Sequence, residues 1–173
     1  VGINTRNVAV SSDGRYVMAA NYLPHTLVAL DGKDLSLVKV IPVIGNTGKT
    51  SRVSAVYDAR PRNSFIAALK DIPEVWEIPY DGRPVYKGLV HDYQYKEAIA
   101  EKGPLPVRQI VLDDILDDFF FDQNYDYILG ASRDKPKGQV IHLGAGRKVA
   151  DLDLEGMPHL GSGITWDWTD KDG

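Results

Sequence analysis

The stretch SDGRYVMAA, residues 12–20, indicates the fold because a similar stretch, DQNYDYILGA, recurs at residues 122–131. Each copy consists of a polar turn, an aromatic residue, two aliphatic residues and then small residues. A further apolar run follows each copy, at Thr26–Asp31 and at Val140–Gly144. Turns that contain glycine or asparagine join antiparallel strands, because these residues tolerate a positive φ. The repeated unit therefore contains short antiparallel strands.

Short strands and turns follow the same pattern along the rest of the chain. The predicted strands are residues 7–11, 16–21, 26–30, 35–43, 52–57, 64–69, 74–78, 117–122, 127–131, 139–143 and 148–154. Units of about 40–50 residues with four strands each are typical of a β-propeller. We therefore predict an all-β propeller, with blades at residues 1–45, 50–112 and 113–156 and the start of a further blade at 157–173.

Two features of this repeat leave alternatives open. About three to three and a half blades do not close a ring of the usual size, and each blade buries its faces against its neighbours. We expect a piece of a longer polypeptide, and the alternative is an assembly of several copies. Residues 91–104 depart from the repeat and are predicted to form a short helix that ends at Gly103-Pro104, as a functional loop or a spacer.

Composition excludes several classes of function. The chain has 173 residues and no cysteine, which excludes thiol catalysis, disulfides, iron–sulfur clusters and cysteine zinc sites. A net charge of −4 argues against a nucleic-acid-binding surface. No run of apolar residues is long enough for a transmembrane helix. The acidic run at residues 113–118 is predicted to be a solvated loop, because no companion ligands point to calcium.

Charged and aromatic residues recur at the strand ends of successive repeats. Those at or near the first strands are Arg6, Arg52 and Asp118, and those at the ends of the second strands are Tyr22, Lys70 and Arg133, with His25 just beyond Tyr22. This register gathers several cations around one opening. Arginine and lysine suit ligands that carry carboxylates, so a specific anionic ligand is predicted. The alternative for each residue is a solvated charge at a strand end.

The turn at residues 157–166 presents a histidine. Pro158 precedes His159, and Gly161 and Gly163 follow it. Proline restricts φ, and glycine permits a positive φ or a close approach of the backbone. Such a turn suits a histidine that faces a flat ligand or a metal, and the alternative is a histidine that caps a surface turn.

Motifs along nearly the whole chain resemble the haem d1 domain of the cytochrome cd1 nitrite reductase family. They are Gly2 with Arg6, Ala20–Pro24, Ser51–Val53, Pro73-Glu74, Leu116–Asp122 and Pro158-His159 with Gly163. Within this family, three stretches are most similar to haem d1 biosynthesis proteins, with the NirF group first and the NirN group second. These stretches are Ala68–Glu77, Leu89–Tyr93 and Gly156–Ile164.

The resemblance implies an eight-bladed periplasmic propeller that binds haem d1 or its dihydro precursor without a covalent bond. Arg6 and Tyr22 match pocket residues of the reductase, and His159 matches a histidine on the distal side of the iron. Gly163 belongs to the same motif as His159. The expected partners of the ligand's carboxylates are placed by the strand register; they are Arg52, Lys70 and Arg133, with His25 and Asp118 as further pocket residues.

Departures from the reductase pattern favour a role in maturation. The reductase's proximal histidine would precede Val1, its second distal histidine would follow Gly173, and Lys70 replaces a histidine. The chain also lacks a CxxCH motif for covalent haem. We therefore expect an oxidoreductase of haem d1 biosynthesis, with His159 as an acid/base or iron ligand. The alternatives are a carrier or insertion factor, the nitrite reductase itself and a general interaction scaffold.

The resemblance also suggests partners. Besides the tetrapyrrole, these are the nitrite reductase and other haem d1 maturation proteins. Neither a nucleic acid nor a membrane span is expected for this chain.

Overall fold

The computed structural model describes residues 2–87, 99–101 and 103–154. Within these ranges the chain forms β-strands and one short 3-10 helix, η1 (Arg60–Arg62). Three four-stranded antiparallel sheets follow one another along the chain, and a two-stranded hairpin interrupts the second. Among these described residues, no helix is long and apolar enough to cross a membrane.

We call the three four-stranded sheets blades 1 to 3, and in each of them every strand after the first pairs with the strand before it in that sheet. Blade 1 contains β1 (Asn4–Val10), β2 (Tyr16–Leu23), β3 (Thr26–Asp31) and β4 (Leu37–Pro42). Blade 2 contains β5 (Val53–Ala59), β6 (Ser64–Leu69), β7 (Glu74–Pro79) and β10 (Arg108–Val111). The hairpin of β8 (Val85–Lys87) and β9 (Ile99–Glu101) lies between β7 and β10. Blade 3 contains β11 (Leu116–Phe121), β12 (Tyr127–Ser132), β13 (Lys137–His142) and β14 (Arg147–Asp153).

The core lies between the blades, and β6 shows how it forms. All six residues of β6 are buried because both faces of blade 2 are covered. Phe65 and Leu69 belong to an apolar cluster shared with blade 1, whereas Ile66 and Ala68 belong to one shared with blade 3. Burying a side chain of the size of leucine or phenylalanine contributes about 1.5–3 kcal/mol. Sheets that pack in succession in this way are blades of a β-propeller, which confirms the predicted fold class.

The same β-bulge occurs near the start of the first strand of every blade. The pairing passes from Thr5–Asn21 to Asn7–Ala20 in blade 1, from Val53–Leu69 to Ala55–Ala68 in blade 2, and from Leu116–Ser132 to Asp118–Ala131 in blade 3. The extra residues are Arg6, Ser54 and Asp117. Bulges bend a strand and change where its side chains point. Relative to these bulges, the residues that follow Asn21, Leu69 and Ser132 are equivalent, and they are Tyr22, Lys70 and Arg133. In blade 1 the pairing resumes beyond Tyr22, at Asn4–Leu23.

The differences from the sequence prediction concentrate in one region. The helix predicted for residues 91–104 is wrong at Ile99–Glu101, which form β9 by pairing with Val85–Lys87. Residues 91–98 of that prediction lie outside the described residues. Strand β10 was not predicted, and it completes blade 2 by pairing with β7.

Candidate functional site

The end of β2 is flanked by two cations of blade 2. The Tyr22 ring is half-buried, and its centroid lies 5.4 Å from Lys70 Nζ and 5.3 Å from the guanidinium carbon of Arg52. A cation over an aromatic ring is attracted by the ring quadrupole. These contacts bring the second-strand ends of blades 1 and 2 together.

Arg52 is held in place by Asp71. Its Nε lies 3.1 and 3.0 Å from the two carboxylate oxygens, and its Nη2 donates a third hydrogen bond. The backbone N–H of Arg52 also donates to Asp71, over 2.9 Å. The hydrogen bonds from Arg52 hold the pKa of Asp71 below its ordinary value against the effect of burial, and His25 acts in the same direction as Arg52. A forked pair of this kind fixes the orientation of the guanidinium group.

Asp117 joins cations from blades 2 and 3. Its Oδ1 lies 3.3 Å from Lys70 Nζ and also accepts a hydrogen bond from Arg133 Nη1. The Asp117 and Lys70 side chains are only 15% and 13% exposed. Burial raises the pKa of Asp117, but Lys70 and Arg133 outweigh it and hold that pKa below its ordinary value. We call Arg52, Lys70 and Arg133 the cation row; it carries three positive charges against the carboxylates of Asp71 and Asp117.

Asp118 belongs to a different group, between the first strands of blades 2 and 3. Its carboxylate accepts hydrogen bonds from Tyr57 Oη over 3.0 Å and from the backbone N–H of Phe119 over 2.8 Å. Burial, followed by the charge of Asp118, raises the pKa of Tyr57 to about 12, and the charge of Arg6 opposes this rise. Arg6 itself is exposed at the bulge of β1.

The structure thus divides the residues that the sequence predicted for the site. It brings Tyr22, Arg52, Lys70 and Arg133 together, and the charge of His25 acts on Asp71. Asp118 instead bonds to Tyr57, and the charge of Arg6 acts on the same tyrosine. The last two predicted residues, His159 and Gly163, lie outside the described residues.

Sequence reasoning missed Asp117, although it is the carboxylate that links Lys70 to Arg133. The acidic run suggested only a solvated loop, yet Asp117 is half-buried and bonded to two cations. The signal that could have indicated Asp117 is its position, which is equivalent to that of Arg6 at the bulge of the first strand. This equivalence is recognised only once the strand pairing is known. Within the described ranges there is no group of three histidine, aspartate or glutamate residues that could hold a metal.

A second group of charges lies around a cleft of about 610 Å³. The residues that line it include Arg62, Glu77, Arg83, Arg108 and Asp126. All three arginines bond to the buried Glu77, and Arg83 also pairs with Asp81. Among the described residues, the three arginines are matched in number by Glu77, Asp81 and Asp126, so these groups leave no surplus charge for an anionic ligand.

Comparison with known proteins identifies the family of the chain. The Cytochrome D1 heme domain matches residues 1–173, the full length of the sequence. This chain belongs to the cytochrome D1 haem domain family. The chain is similar to the dihydro-heme d1 dehydrogenase of Pseudomonas aeruginosa, to which it is 50% identical over 165 residues. That alignment covers 95% of this chain and 30% of the relative, so the chain spans about a third of the relative's length.

The NirF proteins are more distant from this haem d1 domain. The Protein NirF of Pseudomonas aeruginosa is 38% identical over 77 residues, which are 43% of this chain and 19% of that protein. The resemblance to haem d1 biosynthesis proteins is confirmed, although the dehydrogenase matches at higher identity and over more of the chain than NirF does.

Solved structures agree with this assignment. Dihydro-heme d1 dehydrogenase NirN in complex with DHE superposes with a TM-score of 0.80 at 49% identity, over 96% of this chain and 32% of that one. The periplasmic gluconolactonase PpgL of Pseudomonas aeruginosa superposes with a TM-score of 0.67 at 14% identity, over 91% of this chain and 41% of that one. The second likeness shows the fold alone.

Proposed function

We propose that this chain is part of an oxidoreductase of haem d1 biosynthesis that binds dihydro-haem d1 without a covalent bond and oxidises it to haem d1. The observation that carries the proposal is the set of Tyr22, Lys70 and Arg133, one residue from each blade at equivalent positions. Tyr22 contacts Lys70, and Asp117 pairs with both Lys70 and Arg133. The 50% identity to a dihydro-heme d1 dehydrogenase supports the choice of ligand and reaction.

Tyr22 and the cation row fit a flat ligand that carries several carboxylates. Tyr22 offers an aromatic face beside two cations, and the three cations exceed the two neighbouring carboxylates by one positive charge. Arginine binds carboxylates through two parallel hydrogen bonds, and lysine acts as a point charge. We assign the cation row to the carboxylates of the tetrapyrrole and Tyr22 to packing against it.

The other predicted residues complete the proposed pocket. Arg6 and Asp118 contribute through the group around Tyr57, and His25 contributes through Asp71. His159, in its motif with Gly163, acts as an acid/base or as a ligand on the distal side of the iron. The tetrapyrrole supplies the redox chemistry, while the protein binds and orients it and moves protons. The proposal places the protein in the periplasm, with the nitrite reductase and other maturation proteins as partners.

Spectroscopic titration of the full-length protein with dihydro-haem d1 tests the proposal. We expect a shift of the Soret band on binding and, with an electron acceptor present, conversion to the haem d1 spectrum. His159→Ala should retain binding and lose conversion. Binding without conversion by the unaltered protein would favour a carrier instead, and the absence of any spectral change would contradict the proposal.

A further inference from the structure

Asp117 differs from an ordinary surface carboxylate in where its partners come from. One oxygen, Oδ1, serves both Lys70 at the end of β6 and Arg133 at the end of β12. The extra residue in β11 places Asp117 at this position, between the two second-strand ends. A single oxygen thus connects the cations of two blades.

Lys70 is in turn the link between Asp117 and blade 1. Its ammonium group lies between Asp117 Oδ1, at 3.3 Å, and the Tyr22 ring, whose centroid is 5.4 Å away. Long cationic side chains lose rotamer freedom when they bind a ligand, and this loss weakens binding. A carboxylate that already orders two of them reduces this loss.

We infer that Asp117 is a positioning residue that holds Lys70 and Arg133 in the arrangement that receives the carboxylates of the ligand. This inference rests on the proposed function for the identity of the ligand. It assigns to Asp117, a residue with the same charge as the ligand, a favourable effect on binding.

Asp117→Asn distinguishes the positioning role of Asp117 from the effect of its charge, because losing each of them changes the affinity for the ligand in the opposite direction. The substitution makes the site more positive by one charge, so electrostatic attraction alone would tighten the binding of a polycarboxylate. Loss of the fixed arrangement would weaken it.

Asp114 provides a matched control in the same segment. Its side chain is 10% exposed and pairs with two lysines, Lys135 and Lys137, which both belong to blade 3. Asp114→Asn therefore removes the same charge and also disrupts a double ion pair, but it leaves the cation row unchanged.

The experiment compares the full-length protein and both variants by titration with dihydro-haem d1 and with its carboxylate methyl ester. We expect Asp117→Asn to raise the Kd for dihydro-haem d1 with free carboxylates, the acid, about tenfold. Its Kd for the methyl ester should stay within about twofold of that of the unaltered protein. Asp114→Asn should change neither Kd by more than about twofold. Equally weaker binding of both ligands to Asp117→Asn would indicate a general loss of folding and would also contradict the inference. An unchanged or lower Kd for the acid in Asp117→Asn would overturn the inference.

NMR of the protein without ligand keeps the inference separate from the proposed function. We expect Asp117→Asn, but not Asp114→Asn, to shift the ring signals of Tyr22, because Lys70 loses the partner that holds it there. If the unaltered protein bound neither ligand, the proposed function would fail while a Tyr22 shift would still support the positioning role. Unshifted Tyr22 signals would overturn that role in either case.

Discussion

Glu77 is a carboxylate that serves the fold rather than the site. It is 2% exposed and accepts hydrogen bonds from Arg62, Arg83 and Arg108 and from the Ser64 hydroxyl. The three arginines come from η1, from the loop after β7 and from β10, so one side chain joins three segments of blade 2. Because Glu77 is buried and its partners come from three separate segments of the blade, we assign it a structural role.

Glu77→Gln should destabilise the protein by about 3–5 kcal/mol, because it leaves three guanidinium groups around a neutral amide in a buried place. Urea unfolding of the full-length protein measures this free energy. Asp81→Asn is the control, since it removes the more exposed partner of Arg83 and should cost less than about 1 kcal/mol. Equal losses in the two variants would show that Glu77 has no special structural role.

The shifted pKa values of two further carboxylates predict opposite effects of acid on the stability of the protein. Arg52 lowers the pKa of Asp71, so the stability it contributes is present above the ordinary carboxyl pKa and is lost as the pH falls through the lowered value. Burial raises the pKa of Asp58, and this outweighs the hydrogen bond from Tyr80, so its contribution is lost as the pH rises through the raised value.

We therefore expect Asp71→Asn to lose less stability than the unaltered protein between about pH 5 and pH 3, and Asp58→Asn to lose more. Urea midpoints measured across this range provide the test. The same slope in both variants would contradict the assignment of these pKa shifts.

At the scale of elements, β11 and β12 approach each other closely at a glycine next to the bulge of β11. Gly130 of β12 pairs with Phe119, and a Cβ added to it would lie 2.2 Å from the backbone oxygen of Asp118. Real Cβ atoms do not approach backbone this closely, so any other residue would push β11 away from β12. The small residues that the repeat shows after its aliphatic pair thus have a packing reason at this position.

Gly130→Ala should destabilise the protein by about 1–3 kcal/mol, because the backbone must move to accept the methyl group. Gly138→Ala is a milder comparison, since the nearest atoms to its added Cβ are 3.0 Å away. In urea unfolding, Gly130→Ala should lower the free energy of unfolding clearly more than Gly138→Ala does. The reverse order would mean that β11 adapts to the methyl group at little cost.

At the scale of the whole molecule, contacts across the blades join the fold to the site. The Asn7 side chain donates to the backbone oxygen of Val56 over 2.9 Å and accepts from its N–H over 3.1 Å, which fixes β1 against β5. At the strand ends, Tyr22, Lys70 and Asp117 continue this connection across all three blades. The relative placement of the blades therefore sets the spacing of the cation row.

Tyr22 tests this connection between blades. Tyr22→Phe should bind dihydro-haem d1 within about twofold of the unaltered protein, because the ring and its attraction for Lys70 and Arg52 remain. Tyr22→Leu should weaken binding about tenfold, since it removes that attraction and the flat face. Titration of the full-length protein measures both, and equal affinities would exclude a role for the ring.

Local patterns in the sequence alone determined many of the strands, the fold class and the family of this protein. Strand alternation and turn residues depend on near neighbours, so the predicted Ser64–Leu69 coincides with β6 and the repeat gives the propeller fold. The repeat also places Tyr22, Lys70 and Arg133 at equivalent positions near the ends of the second strands, because each lies the same number of residues after the turn that precedes its strand. The motifs that follow this repeat indicated the haem d1 family.

The tertiary structure alone decided the features that depend on distant parts of the chain. Strand β10 follows an insertion that interrupts the repeat, so only its pairing with β7 reveals it. Asp117 rather than Asp118 joins the cation row because a bulge decides which of two adjacent side chains faces it. Glu77 collects its arginines through the folding of blade 2. Ion pairs of this kind form between residues far apart in sequence, and local patterns carry no record of which partners the packing brings together.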